Sequence, residues 1–439
     1  MAFSFSVGRT PWSARVPLDP LPGDHQADEG VGRGPGGPPH HRSGRKALAV
    51  GLPVVFWVAF AAMALHTSRF PVLLGRYSKE YAALLGIVFA AALAASVLQL
   101  PRVYQAFYGN RYVLVWLFVI CPLLILIAVE GAMRSFNLLG SNFYSEIRRY
   151  TSVLVLDHDL YFKNPAGYRA TYGRVEIATN EMGLRDHTLS PAPPPGTSRI
   201  LVLGDSVAFG WGVNLESAFP RQLEEQMSLT GRPVETVNSS VPGYNSRQEM
   251  TFLDLFGARL RPDTVLLLYV DNDIDAIDPR RVHMGILPNP LKDPGGAFDY
   301  FLSMSRVCFM LRQMTPVLLG RVTNSPEQER ATPGWSDSML SVSRMARYCR
   351  ERNVHFVTFH FRMMADPVSD ALDSDLASLA QTERFDYADT LPWFRTHNIR
   401  QLTNSFIDTH PNAAGHRILA QGMTHFFLEH PALLGAPSR

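Results

Sequence analysis

A short aliphatic run at residues 200–203 ends abruptly in Gly204, Asp205 and Ser206, and it constrains the fold more than any other stretch. A run of this kind closed by glycine predicts a strand buried on both faces of a parallel sheet. Ser206 would then lie at the carboxyl end of that strand, where open α/β sheets bind their ligands. Two interpretations of Ser206 stay open here: a nucleophile exposed by the turn, or the N-cap of the next helix.

Short apolar runs alternate with helical patterns through the C-terminal half of the chain. Strands are predicted at 200–203, 235–238, 265–270, 354–359 and 385–388, and helices at 219–228, 247–260, 336–352 and 412–429. Strands that are separated by helices pair in parallel through right-handed crossovers. The pattern therefore predicts an α/β fold, a three-layer α/β/α sandwich with a parallel sheet, over residues 199–439. Residues 275–335 lack periodicity and are expected to form an insertion: a lid over the site, a membrane-facing loop or an inert excursion.

The N-terminal part of the chain has a different character. Residues 1–46 are rich in Gly, Pro, Arg and His without hydrophobic periodicity, which predicts a disordered tail. Three apolar segments follow at about 47–66, 81–100 and 112–129, and none of them contains Asp, Glu, Lys or Arg. Each has about the 18 to 20 residues that cross a hydrocarbon core. We therefore expect three transmembrane helices over 47–130, followed by a juxtamembrane extension and a Pro-rich linker over 131–198.

Charge and cysteine usage narrow the class of protein. Lys and Arg are slightly more numerous on the side of the tail, so an odd number of spans predicts a multi-pass cell-membrane protein whose C-terminal half is extracytoplasmic. The net charge of +2 comes without a basic stripe, so no nucleic acid is expected as a partner. Cys121, Cys308 and Cys349 lack metal-ligand spacing, and the last two are either free or, in an exported domain, paired.

Three further polar blocks follow predicted strands or open the last predicted helix. They are V-P-G-Y-N at 241–245, V-D-N-D at 270–273 and I-D-T-H-P-N-A-A-G-H at 407–416. Because the carboxyl ends of parallel strands meet at one edge, these blocks and Ser206 are expected on the same rim of the sheet. Acyl transfer needs a nucleophile, a base, a carboxylate that orients the base, and donors for the oxyanion. Gly243 can offer its backbone N–H and Asn272 its side-chain N–H as such donors.

Together, the blocks resemble the SGNH, or GDSL-type, hydrolase superfamily, whose four signature residues correspond to Ser206, Gly243, Asn272 and His410 in the same order, over about residues 199–430. The resemblance implies a flavodoxin-like fold and a serine esterase that needs no metal or organic cofactor. It makes Ser206 the nucleophile and His410 the general base. It also makes the Ser206 and Gly243 N–H groups and Asn272 the oxyanion hole. The tail and the three apolar segments resemble those of membrane-anchored bacterial envelope members.

One position departs from the family pattern. The family places its acid three residues before the histidine, where this chain has Ile407, so Asp408 is the predicted acid two residues before His410. His416 is the alternative base and otherwise packs in the first turn of its helix. Asp205 is expected to hold the turn at the nucleophile.

Other polar residues have structural alternatives to a role in the site. Asn180, Gly183 and Arg185 in the extension either line the site or hold a turn. His355 and His360 lie on or beside a predicted strand and lack a matching set of zinc ligands.

These patterns predict a membrane-anchored serine esterase that acts on O-acyl esters of envelope glycans or lipids. The alternatives are an O-acyltransferase that uses the same triad, and a catalytically idle envelope scaffold.

Overall fold

The computed structural model describes residues 42–65, 77, 79–97, 99–103, 121–276, 305–308, 310 and 325–435. The predicted tail lies outside these residues as far as residue 41. Most of the predicted insertion at 275–335 also lies outside them.

The described residues of the N-terminal part include four α-helices with defined bounds. They are α1 (Arg42–Ala64), α2 (Lys79–Val97), α3 (Cys121–Phe136) and α4 (Phe143–Thr151). The indole of Trp57 in α1 packs edge-on against Phe89 in α2, and its Nε1 donates to Ser96 Oγ at 2.9 Å. Large apolar side chains on the same pair of helices face outward, Val55, Val58 and Leu93 among them.

The three predicted transmembrane helices are not supported by this part of the structure. Within the described ranges, no helix combines the length and the apolarity that a membrane crossing requires. Residues 66, 98 and 112–120 of the predicted segments lie outside those ranges. Helix α3 continues beyond the third segment and includes Glu130, whose carboxylate accepts the backbone N–H groups of Arg306 at 3.0 Å and Val307 at 3.1 Å.

Two antiparallel hairpins follow α4. The first pairs β1 (Val155–Asp157) with β2 (Tyr161–Lys163), and the second pairs β3 (Arg169–Tyr172) with β4 (Val175–Ala178). Gln248 Nε2 donates to Leu160 O at 2.7 Å, and Tyr244 Oη donates to Phe162 O at 2.8 Å, which ties the first hairpin to the sheet domain. The first hairpin therefore packs directly against the sheet domain.

A five-stranded parallel sheet forms the centre of the molecule, and this confirms the predicted α/β class. Its strands are β5 (Ser198–Gly204), β6 (Val234–Asn238), β7 (Thr264–Tyr269), β8 (His355–His360) and β9 (Asp386–Asp389), in the order β6-β5-β7-β8-β9. Every neighbouring pair is parallel. All seven residues of β5 are buried, as expected for a strand covered on both faces.

The helices of this domain cover both faces of the sheet, which gives three layers. They are α5 (Ser206–Phe209), α6 (Phe219–Leu229), α7 (Ser246–Leu260), α8 (Pro326–Arg330), α9 (Pro333–Glu351), α10 (Pro367–Glu383), α11 (Leu391–Phe394) and α12 (Ala413–Glu429). Leu201 and Leu203 of β5 belong to the apolar cluster that contains residues of α7, α9 and α10. Ile200 and Val202 belong to the cluster of α6 and α12 on the other face, because successive side chains of a strand alternate.

The predicted elements of the sheet domain agree with the structure to within three residues at each end. Helix α9 begins three residues before its predicted start, because Thr332 Oγ1 accepts the Trp335 N–H at 3.3 Å and caps the helix earlier. Helices α5, α8, α10 and α11 and the two hairpins were not predicted. Cysteines 121, 308 and 349 are free, which decides between the two alternatives for Cys308 and Cys349.

Candidate active site

The turn after β5 places Ser206 on the rim of the sheet. Gly204 has φ +156°, and a Cβ added there would come within 2.6 Å of the Ala208 Cβ, so the turn requires glycine. Asp205 is the N-cap of α5, since its Oδ1 accepts the Val207 N–H at 2.8 Å. The alternative that Ser206 is the N-cap is therefore wrong, and its hydroxyl is not used to cap the helix. Asp205 holds the turn, as the sequence predicted.

Ser206, His410 and Asp408 form a continuous chain of hydrogen bonds. Ser206 Oγ lies 2.8 Å from His410 Nε2, and His410 Nδ1 lies 2.6 Å from Asp408 Oδ1. A carboxylate can only accept, so Nδ1 carries a proton and donates it to Asp408. In the neutral imidazole, Nε2 is then the acceptor for the Ser206 hydroxyl, which is the tautomer that a general base needs.

The loop before α12 explains how a carboxylate only two residues away can reach the imidazole. The Ser405 N–H donates to Asp408 O at 3.0 Å, and the Asp408 N–H donates back to Ser405 Oγ at 2.8 Å. Asn404 Nδ2 donates to Asp408 Oδ2 at 3.1 Å and to Trp211 O at 3.2 Å. This folded loop turns the Asp408 carboxylate back toward His410. Asn404 was missed in the sequence, because a single asparagine in a loop has no distinguishing pattern.

Burial and charge act in opposite directions on His410. Burial lowers the pKa of its imidazole, but the hydrogen bond and the charge of Asp408, with a further contribution from the charge of Asp205, outweigh burial. The pKa of His410 therefore lies above its ordinary value. The site accordingly favours the imidazolium that forms when the base takes the serine proton.

Asn272 approaches the nucleophile from the neighbouring strand. It lies in the short 3₁₀ turn Asp271–Ile274 after β7, and its Nδ2 donates to Asp205 Oδ2 at 3.0 Å. The same carboxylate oxygen lies 3.2 Å from Ser206 Oγ, so Asp205 connects the two residues. An amide nitrogen has two hydrogens, so Asn272 Nδ2 can donate a second hydrogen bond.

Gly243 lies in the loop after β6, whose residue Val241 donates its N–H to Gly204 O at 3.3 Å. Its φ of +86° is in the left-handed region that favours glycine. The Phe162 ring borders it, at 3.8 Å from the position that a Cβ would take. The structure thus brings Gly243, Ser206 and Asn272 to adjoining strand ends of one rim.

Two buried acids lie near Asp205. Burial, and then the charge of Asp205, raise the pKa of Glu249 well above its ordinary value. Burial, followed by the charges of Glu249 and Asp205, does the same to the pKa of Asp273. Neither carboxyl group makes a hydrogen bond to His410, whose Nδ1 partner is Asp408.

His416, the alternative base, lies outside the hydrogen-bond chain. It is fully buried, and its Nδ1 accepts the Phe219 N–H at 3.2 Å. Burial, followed by the charges of Arg185 and His410, lowers the pKa of His416 to about 3. It is a neutral acceptor at the start of α6, which agrees with the packing alternative.

The extension residues hold turns rather than line the site. Asn180 Oδ1 accepts the N–H groups of Met182 at 2.9 Å and Leu184 at 3.1 Å. Gly183 has φ +79°. Arg185 is fully buried and donates to the carbonyl oxygens of Phe209 and Val213, both at 2.6 Å, in the loop that follows the nucleophile. The sequence did not predict this link.

Aromatic side chains of the extension also border the site. The Phe143 ring of α4 lies 5.6 Å from the His410 ring, and 6.5 Å from the Trp211 ring, centroid to centroid. Neither residue was singled out in the sequence, because isolated aromatics are ordinarily core residues.

No group of three His, Cys, Asp or Glu residues within the described ranges is arranged to hold a metal ion.

One protein-family model matches the segment that carries this site. Residues 202–418 match the GDSL-like Lipase/Acylhydrolase family. A comparison with curated proteins found no match.

Several solved structures are similar at low identity. A structure of TesA is 14% identical with a TM-score of 0.35, covering 52% of this chain and 98% of TesA. A putative lipolytic protein of the G-D-S-L family from Desulfitobacterium hafniense DCB-2 is 11% identical with a TM-score of 0.33, covering 52% and 99%. A catalytic mutant of Axe2, an acetylxylan esterase from Geobacillus stearothermophilus, is 14% identical with a TM-score of 0.35, covering 55% and 95%. No function follows from a likeness at this level.

The family match spans every predicted site residue, from Ser206 to His410. The chain is a serine hydrolase that acts on ester bonds, and its segment 202–418 matches the GDSL-like Lipase/Acylhydrolase family.

Proposed function

We propose that the chain hydrolyses carboxylic O-acyl esters through an acyl-enzyme on Ser206. The observation that carries this proposal is the continuous chain of hydrogen bonds from Ser206 Oγ through His410 to Asp408, at 2.8 Å and 2.6 Å. This arrangement provides a nucleophile, a base in the required tautomer and a carboxylate that stabilises the imidazolium.

In the first half-reaction, His410 Nε2 takes the proton of the Ser206 hydroxyl while Oγ forms a bond to the acyl carbon. The carbonyl oxygen becomes an oxyanion. It accepts hydrogen bonds from the backbone N–H groups of Ser206 and Gly243 and from the side-chain N–H of Asn272. The ester C–O bond then breaks, and His410 returns the proton to the leaving alcohol. The products are an acyl-enzyme and a free alcohol.

In the second half-reaction, a water molecule gives a proton to His410 and adds to the acyl carbon. The bond to Ser206 Oγ breaks as the second oxyanion collapses, and His410 returns the proton to Oγ. Asp408 stays ionised throughout and holds the Nδ1–H.

The nucleophile is tested by labelling with a fluorophosphonate. The wild-type protein should label at one site, and Ser206→Ala should abolish both labelling and the turnover of p-nitrophenyl esters. Ser336→Ala is the matched control, because this exposed serine in α9 only donates to Pro333 O. Full labelling of the Ser206→Ala protein would assign the nucleophile to another residue.

We further propose that the substrate is an O-acyl group on a glycan or lipid of the cell envelope. A series of p-nitrophenyl esters from acetate to palmitate distinguishes the two by chain length. A preference for short acyl groups favours a glycan ester, and a preference for long acyl groups favours a lipid. Release of the acyl group to an added sugar alcohol rather than to water would contradict hydrolysis and favour acyl transfer.

Membrane attachment, with the catalytic domain outside the cytoplasm, is also part of the proposal. It is supported by the apolar segments at 47–66, 81–100 and 112–129, and by the outward-facing apolar side chains of α1 and α2. Alkaline phosphatase fused after Arg439 should be active, and alkaline carbonate should leave the protein in the membrane pellet. An inactive phosphatase fusion would reverse the orientation, and release by carbonate would contradict membrane integration.

A further inference from the structure

A buried histidine lies behind the turn that carries Asn272. His360 is the last residue of β8, and none of its side chain is exposed. Its Nε2 lies 2.9 Å from Asp271 Oδ1, and its Nδ1 lies 3.5 Å from Asp373 Oδ1. Neither the triad nor the oxyanion hole described above includes His360.

Asp271 is the residue immediately before Asn272 and opens the same 3₁₀ turn. Nearly half of its side chain is exposed (47%). Its Oδ1, which contacts His360, also accepts a hydrogen bond from Ser369 Oγ at 3.0 Å. These two contacts connect a carboxylate at the surface to the interior. Tyr269 and His360 are partners in the β7–β8 register, which fixes the histidine beside the end of the strand that leads into the turn.

The surroundings of His360 favour its charged form. Burial lowers the pKa of its imidazole, but the hydrogen bonds and charges of Asp271 and Asp373 outweigh burial, so the pKa lies above its ordinary value. Other charged and titratable groups face His360 and its two aspartates. Arg362 lies 3.5 Å from the Asp373 carboxylate and also pairs with Asp389. The Tyr387 hydroxyl donates to Asp373, and the Tyr269 ring lies 5.6 Å from the imidazole, centroid to centroid. Only the imidazolium has an N–H on both ring nitrogens, one for each aspartate.

The position of Asn272 is thus fixed by two contacts. Its side chain is fixed by the 3.0 Å hydrogen bond to Asp205, and its preceding residue is fixed by the 2.9 Å contact to His360. We propose that His360 is a positioning residue for the oxyanion hole, which holds Asp271 through Nε2 and so fixes the turn that presents the Asn272 amide to the substrate oxygen. This inference rests on the role of Asn272 in the proposed function.

Loosening the turn should reduce kcat more than substrate binding. Loss of a whole oxyanion donor costs about 100-fold to 1,000-fold in kcat, and misplacing a reacting group by an ångström costs up to about 100-fold. We expect His360→Gln and Asp271→Ala each to lower kcat about 10-fold to 100-fold with KM nearly unchanged. Asp271→Ala removes a half-exposed side chain, so it tests the contact even if changes at the buried histidine prevent folding. His355→Gln, at the opposite end of the same strand, is the matched control and should leave kcat unchanged.

A double-mutant cycle makes the mechanism specific. Because His360 is proposed to act through Asn272, His360→Gln should have no further effect on kcat in an Asn272→Ala protein. A full additional loss in that background would show that His360 acts by another route and overturn the inference. If Asn272→Ala itself left kcat unchanged, the oxyanion role of Asn272 in the proposed function would fail instead, so the two failures are distinguishable.

The pH profile supplies a readout that a purely structural role would not change. As the pH rises through the folded pKa of His360, the imidazolium loses a proton and its contact with one aspartate weakens. The wild-type kcat should therefore fall on the alkaline side, and this fall should be absent from His360→Gln. Wild-type kcat in both His360→Gln and Asp271→Ala, or a rise in KM at constant kcat, would overturn the inference.

Discussion

His410 and His416 lie six positions apart in one polar block, yet the structure gives them opposite electrostatic surroundings. His410 Nδ1 faces the Asp408 carboxylate at 2.6 Å, and its pKa is raised. His416 Nδ1 faces the Phe219 N–H at 3.2 Å, and its pKa is lowered to about 3. Burial lowers the pKa of both rings, but at His410 the Asp408 carboxylate outweighs burial, whereas at His416 the charges of Arg185 and His410 add to it. An anionic acceptor favours the imidazolium, whereas a backbone donor requires the neutral ring.

The comparison shows how one stretch of chain can carry a reactive and an inert histidine. His410 precedes α12, in a loop that turns the Asp408 carboxylate back onto its imidazole. His416 lies in the first turns of α12 and faces the start of α6 across the interior. Replacing each histidine, the partner of His410 or Asn272 tests this division of roles.

Replacement of His410 should have the largest effect. In a serine hydrolase, loss of the base costs about a millionfold in kcat, because the nucleophile is no longer deprotonated. We expect His410→Ala to show a loss of that order and His416→Leu to keep kcat near the wild-type value once folded. Single-turnover kinetics with a p-nitrophenyl ester measure both. Comparable losses in the two folded proteins would contradict the division of roles.

Removal of the carboxylate charge tests whether the partner makes His410 different. Asp408→Asn should lower kcat about 10⁴-fold while leaving the fold intact, because the tautomer of His410 is no longer controlled. Without the anion, burial should dominate, so the pKa of His410 should fall and the acid limb of the residual activity should move to lower pH. Near-normal kcat in folded Asp408→Asn would show that the site works as a Ser206–His410 dyad.

Asn272 should contribute less to kcat than the hydrogen-bonded chain of Ser206, His410 and Asp408. Asn272→Ala removes one proposed oxyanion donor and should cost about 100-fold to 1,000-fold in kcat with KM little changed. Its pH profile should keep the acid limb of the wild-type enzyme, because the His410–Asp408 pair is untouched. A large rise in KM at constant kcat would instead make Asn272 a residue that binds the ground state.

The smallest catalytic effect, with a separate effect on stability, is expected for His416. His416→Leu leaves the buried Phe219 N–H without an acceptor, which should cost about 1 to 3 kcal/mol in the free energy of unfolding. Because the folded pKa of His416 is about 3, below the ordinary value, the unfolded chain binds the proton first. Wild-type stability should thus fall as the pH drops from about 6.5 toward 3, and more steeply than that of His416→Leu. Equal slopes in urea titrations across this range would show that His416 is not held neutral.

The sheet and its rim were predictable from the sequence because they depend on local patterns. Buried parallel strands are short aliphatic runs, such as residues 200–203, and helices between them show an apolar periodicity. The positions of Ser206, Gly243 and Asn272 after successive strands then follow from sheet geometry. Helix α10 was not predicted, although Pro367 and the capping side chain of Asp366 are both start signals.

The sequence by itself determined the α/β class, the order of the strands along the chain and the residue types gathered on one rim, because strand and helix patterns are local. Only the tertiary structure decided which side chains face each other. It turned Asp408 back onto His410 through Asn404 and Ser405, which no spacing rule required. It also placed His360 behind Asp271, across two adjacent strands. Such contacts join residues that are distant in the chain, and no local pattern encodes the distance between them.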